Sequence, residues 1–202
     1  MNNILDFGLP MGGLKAYDGW RNRERQVMNG AARKYPPVAS LRLVPRRRMT
    51  EAQFLAWCDE ETHAEWADGR VILMSPENVG HKDLLFFLLH LFDGYATHHE
   101  LGTVYGEAVH VRLPGMARRR SPDLFFIAKA RKQIIKEQHI EGAPDLIVEV
   151  VSPDSISRDY REKFQEYEKA GVREYWIVDP MHKTLEASRL GRDSKFRPIA
   201  EE

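Results

Sequence analysis

Hydrophobic and polar positions change period several times along the chain, and the changes mark its elements. A helix is predicted from Thr50, which stands at an N-cap position with Gln53 three residues on, as in a capping box; Phe54, Leu55 and Trp57 follow as its apolar residues. The stretch HAEWADGRVILM is apolar on both sides of Asp68-Gly69, a pair that favours a tight hairpin. A long helix is predicted over about residues 80–97, with His81, Leu85, Leu88 and Phe92 on one face. GTVYGEAVHVRL reads as one strand and SPDLFFIA as another, with Asp123 at its start. Pro114-Gly115 and Arg118-Arg119-Arg120 between them read as loop, and residues 129–142 as loop with some helix. PDLIVEVV is a strand, SPDSISRDYREKFQEYEKAG a helix closed by Gly171, and VREYWIVDP a strand. A last short strand spans Thr184 to Arg189. The order predicts an α/β domain, a mixed sheet flanked by helices, over residues 49–190. Residues 1–48 form an arm before it and 191–202 a tail after it.

One residue breaks the pattern of the PDLIVEVV strand. Alternation sets Leu146, Val148 and Val150 on one face and Ile147, Glu149 and Val151 on the other. If both faces are covered, an unpaired Glu149 costs several kcal/mol or stays protonated. It needs a cation, a hydrogen-bond network or water in a cleft. The following helix offers the cation. At 100° per residue Ile156, Tyr160, Phe164, Tyr167 and Ala170 form its apolar stripe, and Lys163 falls inside it. Arg158, Arg161, Glu162, Gln165, Glu166 and Lys169 point elsewhere. A strand–helix–strand unit lays that stripe over its own sheet, so Glu149 and Lys163 are expected to meet. An ion pair retained for stability alone is a poor explanation, because desolvation can exceed the attraction. The alternative is a lysine that snorkels to solvent.

Composition narrows the function classes. The 202 residues include 30% charged and 43% apolar residues, as in a soluble globular chain. Net charge is zero, yet residues 1–48 hold ten Lys/Arg against three Asp/Glu, a net of +7, which leaves −7 on the rest. A basic arm on an acidic body could touch a phosphate backbone while the body holds metal; a solvated leader is the alternative. The single cysteine, Cys58, excludes an intrachain disulfide and a cysteine zinc site, and suits a reducing cytoplasm. The opening residues lack the positive region of a signal peptide, and LLFFLLHLF is too short to span a bilayer, so no membrane role is expected. There is no P-loop, dinucleotide fingerprint or nucleophile elbow, and Ser75, Ser121 and Ser152 merely adjoin prolines.

What remains is a carboxylate pair with a lysine. Asp123 and Glu149 begin and interrupt apolar strands expected to be neighbours, and two such carboxylates suit Mg²⁺ or Mn²⁺. Such an ion polarises a phosphoryl oxygen and acidifies water, while the lysine stabilises developing charge or orients the water. Phosphodiester hydrolysis is the matching chemistry.

The run SPDLFFIA…PDLIVEVVSPDS…RDYREKFQEYEKAGVREYWIVDP resembles the Uma-two family of endonucleases, within the PD-(D/E)XK restriction-endonuclease-like superfamily. The resemblance covers about residues 50–190 and implies a restriction-endonuclease-like fold with DNA as substrate. It implies that Asp123 binds metal and that Glu149 is the acidic residue of the E-X-K motif, whose lysine position is Val151 here. Lys163 matches the place on the next helix where this family carries its lysine. Glu65, in AEWADGRV, matches an acidic position near the first hairpin and would assist the cluster. A homodimer follows by analogy with enzymes that cut two strands. Two other classes stay open: a DNA-binding or regulatory protein on this fold with little or no catalysis, and an interaction protein in which Glu149–Lys163 is only an internal ion pair. Other marked residues have plainer readings. His81 reads as a capped or core histidine, Asp159 as support for Lys163, and Tyr175-Trp176 as sheet core. His98, His99 and His110 show no ligand spacing.

Overall fold

In the computed structural model the described residues are 45, 47–59, 62–76, 78–153 and 155–199. The basic arm therefore lies outside them, apart from Pro45, Arg47 and Arg48.

The chain folds as mixed α/β, with helices flanking two mixed sheets rather than one. Helix α1 (Glu51–Trp57) starts with the capping box read from the sequence: Thr50 Oγ1 accepts from the Gln53 amide, and Gln53 Oε1 from the Thr50 amide. Strands β1 (Ala64–Ala67) and β2 (Arg70–Leu73) form the hairpin. Its two turn residues, Asp68 and Gly69, have φ of 47° and 82°, the left-handed pair that matches strand twist. Helix α2 (Val79–His98) buries His81, Leu85, Leu88 and Phe92 on one face, as its periodicity predicts. No helix of the described residues is long and apolar enough to cross a membrane.

GTVYGEAVHVRL is not one strand. It divides into β3 (Gly102–Gly106) and β4 (His110–Arg112), which join different sheets, with Ala108 at φ 68° between them. Arg118–Arg120, read as loop, is strand β5, followed by β6 (Leu124–Ala128). Residues 129–142 contain a 3₁₀ turn (Lys129–Ile134) and a short strand, β7 (His139–Glu141). Strand β8 (Leu146–Val150) is buried on both faces. After β9 (Glu174–Asp179) and β10 (Thr184–Leu190), a further strand, β11 (Phe196–Pro198), lies in the stretch read as tail. The smaller sheet runs β2-β1-β5-β4-β7 and the larger β11-β10-β9-β8-β6-β3.

The helix between β8 and β9 departs from a regular α-helix. Arg158–Lys163 forms a π-helical segment that continues into α3 (Phe164–Ala170), which Gly171 ends with φ 85°. The wider turn changes which side chains face inward. Ile156, expected in the apolar stripe, is 40% exposed, while Asp159, Lys163 and Glu166 are buried beside Tyr167. One core cluster joins the two sheets and this helix, with Val111, Ile140, Phe125, Ile147, Tyr167 and Tyr175 among its members. On the opposite face of the larger sheet, Phe92 of α2 meets Trp176 edge to face at 5.5 Å.

Candidate active site

Strand register explains why two carboxylates meet. β6 and β8 are antiparallel, with Leu124 opposite Val148. One step further sets Asp123, just before β6, opposite Glu149. The Asp123 carboxylate is held there by the Val150 amide, which donates to Oδ2 at 2.6 Å. Both residues line one open cleft with His81, Arg158, Asp159 and Lys163. His81 packs in the core face of α2, but its Nε2 also lies 3.9 Å from Asp123 Oδ2, so it belongs to the cleft wall as well.

Lys163 is 1% exposed and lies among three carboxylates: Glu149 Oε1 at 2.9 Å, Asp159 Oδ1 at 3.2 Å and Glu65 Oε1 at 3.6 Å. Asp159 thus supports the lysine, four residues on along the widened turn. Tyr167 donates to the same Glu149 oxygen at 2.8 Å. Glu65 reaches Lys163 from the other sheet. In β1 the side chains of Ala64 and Trp66 pack with Phe54, which leaves Glu65 on the opposite, inward face. Its second oxygen accepts from Arg120 Nη1 at 2.7 Å, and its first from the Ser121 amide at 3.1 Å. Glu65 is absent from the residues lining the cleft and sits behind Lys163.

Two buried residues of this network, Arg120 and Glu166, escape sequence reasoning. Arg120 is fully buried and grips Glu166 with a bidentate pair, Nε–Oε2 at 2.7 Å and Nη2–Oε1 at 2.8 Å, besides its bond to Glu65. Alternation along β5 turns Arg118 and Arg120 toward Glu166, while Arg119 turns the other way to Glu51. The available signal is the spacing R-x-R, uninformative until β5 is known to be a strand.

Burial and charge set the protonation of the cluster. Burial pushes the Glu149 carboxyl up to about 7; Lys163 opposes this, but Asp159 and Glu65 add repulsion. Against the same burial, Lys163, Arg120 and the Ser121 amide hold Glu65 down to about 2. Burial alone would lower Lys163, but Glu149, Glu65 and Asp159 together raise it, so it stays cationic. A raised carboxyl binds its proton more tightly in the folded chain. Glu149's contribution to stability is therefore complete below about pH 4.5 and lost as pH rises through about 7. Glu65 acts in a separate window: its contribution is present above about pH 4.5 and lost as pH falls through about 2. The metal-free protein should lose on the order of 3 kcal/mol between about pH 5 and about pH 8, since each tenfold difference in proton affinity between folded and unfolded chain is worth ~1.4 kcal/mol. Urea midpoints measured across that range check this, and Glu149→Gln should flatten the slope. An identical slope in that variant would assign the titration to another group.

Among the described residues, no group of three or more His, Cys, Asp or Glu side chains is arranged to hold a metal ion. The cleft offers two carboxylates, Asp123 and Glu149. The surrounding buried charge is unbalanced: Glu65, Asp123, Glu149, Asp159 and Glu166 face the buried cations Lys163 and Arg120. Two hard oxygen donors in an acid-rich pocket fit a divalent cation that keeps water or substrate oxygens in its remaining positions.

The sequence profile of a family described as "Uma2: Putative restriction endonuclease" matches residues 51–200. No curated protein matches the chain. Among solved structures, a crystal structure described as "a putative nuclease belonging to DUF820", from Anabaena variabilis ATCC 29413, superimposes with a TM-score of 0.62 at 18% identity. The match covers 76% of this chain and 85% of that one, and at this identity it concerns the fold.

Proposed function

The chain belongs to the Uma2 family, and from that premise we propose that it is a nuclease hydrolysing phosphodiester bonds in DNA with Mg²⁺ or Mn²⁺. The observation that carries this reading is the convergence of Asp123, Glu149 and the buried Lys163 on one cleft. A lysine placed 1% exposed among carboxylates is a costly arrangement for a purely structural purpose.

Asp123 and Glu149 would hold the cation. When bound, it supplies Lewis acidity to a phosphoryl oxygen and acidifies water for attack. The Val150 amide and Tyr167 hydroxyl fix the two carboxylates before substrate arrives, so little reorganisation is needed at the reacting centre. Lys163 directs positive charge at the cleft from the side of Glu149 and offsets the negative charge that develops on the phosphate. Asp159 and Glu65 are positioning residues: they hold the Lys163 ammonium and keep it protonated. Glu65 thus assists through Lys163.

The test is nicking of supercoiled plasmid, which needs no known target sequence. With Mn²⁺ or Mg²⁺ the wild-type protein should produce nicked circles, and EDTA should stop the reaction. Asp123→Asn keeps an acceptor for the Val150 amide while removing the charge, and should slow nicking by about 10²-fold or more. Absence of cleavage with every metal would favour a DNA-binding protein on the same fold, and an unchanged rate in Asp123→Asn would place the chemistry outside this cleft.

A further inference from the structure

Lys163 already gives its ammonium to Glu149, Asp159 and Glu65. It cannot take a phosphate oxygen without weakening those pairs. A cleft rich in carboxylates also repels a phosphodiester, so binding DNA there requires another fixed cation.

Arg158 lines the same cleft as Asp123, Glu149 and Lys163. Six arginines among the described residues are buried or half-buried: Arg112, Arg118, Arg119, Arg120, Arg131 and Arg158. The first five each pair with a carboxylate. Arg158 pairs with no carboxylate among the described residues; its guanidinium contact there is Nη1 to the sulfur of Met74 at 3.8 Å. A thioether steadies the group without neutralising it, which leaves most of its five N–H donors for a ligand. The backbone beside it is anchored. Asp159, the next residue, is buried against Lys163, and its carbonyl accepts from the Tyr175 hydroxyl at 3.0 Å. The widened turn that begins at Arg158 thus faces Asp159 and Lys163 inward and leaves Arg158 on the cleft wall.

We propose that Arg158 is the phosphate-binding residue of the cleft, its planar guanidinium taking two non-bridging oxygens of a DNA phosphodiester. The fork matches that geometry, and lysine does not reproduce it. The contact lies in the cleft assigned above and rests on the nuclease reading for the identity of the phosphate as the one to be cleaved. The grip itself does not require cleavage.

The experiment uses the full chain, with Arg158→Met, Arg158→Lys and, as control, Arg161→Met, an exposed arginine on the same helical segment. Binding of a labelled single-stranded oligodeoxynucleotide is followed by fluorescence anisotropy with Ca²⁺, alongside Mn²⁺-dependent plasmid nicking; thermal melts check folding. Arg158→Met should weaken binding by about 10- to 100-fold and reduce the slope of log K against log salt by about 0.7. Nicking by this variant should show a raised KM. Arg158→Lys should recover only part of the affinity, and Arg161→Met should change it less than about twofold. Wild-type affinity and KM in Arg158→Met overturn the assignment even where nicking is intact. If the methionine variant does not fold, Arg158→Lys decides, and equality with wild type in both readouts overturns it. Binding that depends on Arg158 in a protein that fails to nick with any metal supports the phosphate grip and removes the nuclease. A wild-type protein that binds no oligonucleotide overturns the grip.

Discussion

Lys163→Met is expected to abolish metal-dependent nicking, with a loss of about 10²-fold or more, because it removes the cation directed at the developing charge. It should also destabilise the fold. Three carboxylates, Glu149, Asp159 and Glu65, lose the ammonium between them, and breaking a buried pair from one side costs about 3–5 kcal/mol. Loss of activity alone therefore does not separate chemistry from unfolding. The double variant Lys163→Met, Glu149→Leu does. Removing both charges takes away the desolvation cost along with the attraction, and melting temperature should return toward the wild-type value or exceed it. Nicking should stay absent. Plasmid assays on folded protein, with circular-dichroism melts on all three proteins, measure both outcomes. Recovery of nicking in the double variant would show that the pair serves the fold and that the chemistry lies elsewhere.

The parts of this site that sequence can reveal are those in which one residue violates its own element's pattern. Glu149 breaks an apolar strand, and Lys163 breaks an apolar helical stripe; each is visible without knowing its partner. Both lie where the pattern places them, 2.9 Å apart. Asp123 is legible as the start of a strand, and register then sets it opposite Glu149. The helix after β8, taken at 100° per residue, is where the sequence misleads. No residue between Ser157 and Phe164 announces a π-helical turn, so the regular period places Ile156 inside and Glu166 outside, the reverse of their burial. The two-sheet architecture is hidden in a similar way. The chain turns at Ala108 in a left-handed conformation that its identity does not signal, and GTVYGEAVHVRL looks continuous. Arg118-Arg119-Arg120 looks like loop because its partners are distant in sequence. Its pairs to Glu51, Glu65 and Glu166 span 46 to 68 residues, and charge becomes an acceptable strand content only once those carboxylates are in place.

That hidden arginine should produce an effect on stability as large as that of Lys163. Arg120→Met is expected to lower stability by about 3–5 kcal/mol, which for a chain of this size is roughly 6–20 °C in melting temperature. Arg120 is 0% exposed and joins the two halves of the network, β1 through Glu65 and α3 through Glu166. Methionine fills much of the volume, so the loss is electrostatic: two buried carboxylates lose their shared counter-charge. Glu166 retains Arg118, whereas Glu65 retains the Ser121 amide and Lys163 at 3.6 Å. Glu65 will therefore draw more on Lys163. The ammonium then shifts from Glu149, and nicking should fall in protein that is still folded below its new melting temperature. Arg120→Met combined with Glu65→Gln removes the stranded charge and should recover part of the stability. A melting temperature within about 2 °C of wild type in Arg120→Met, less than the ~1 kcal/mol such a shift represents, would mean that Glu65 and Glu166 find other partners and that the network is not organised around Arg120.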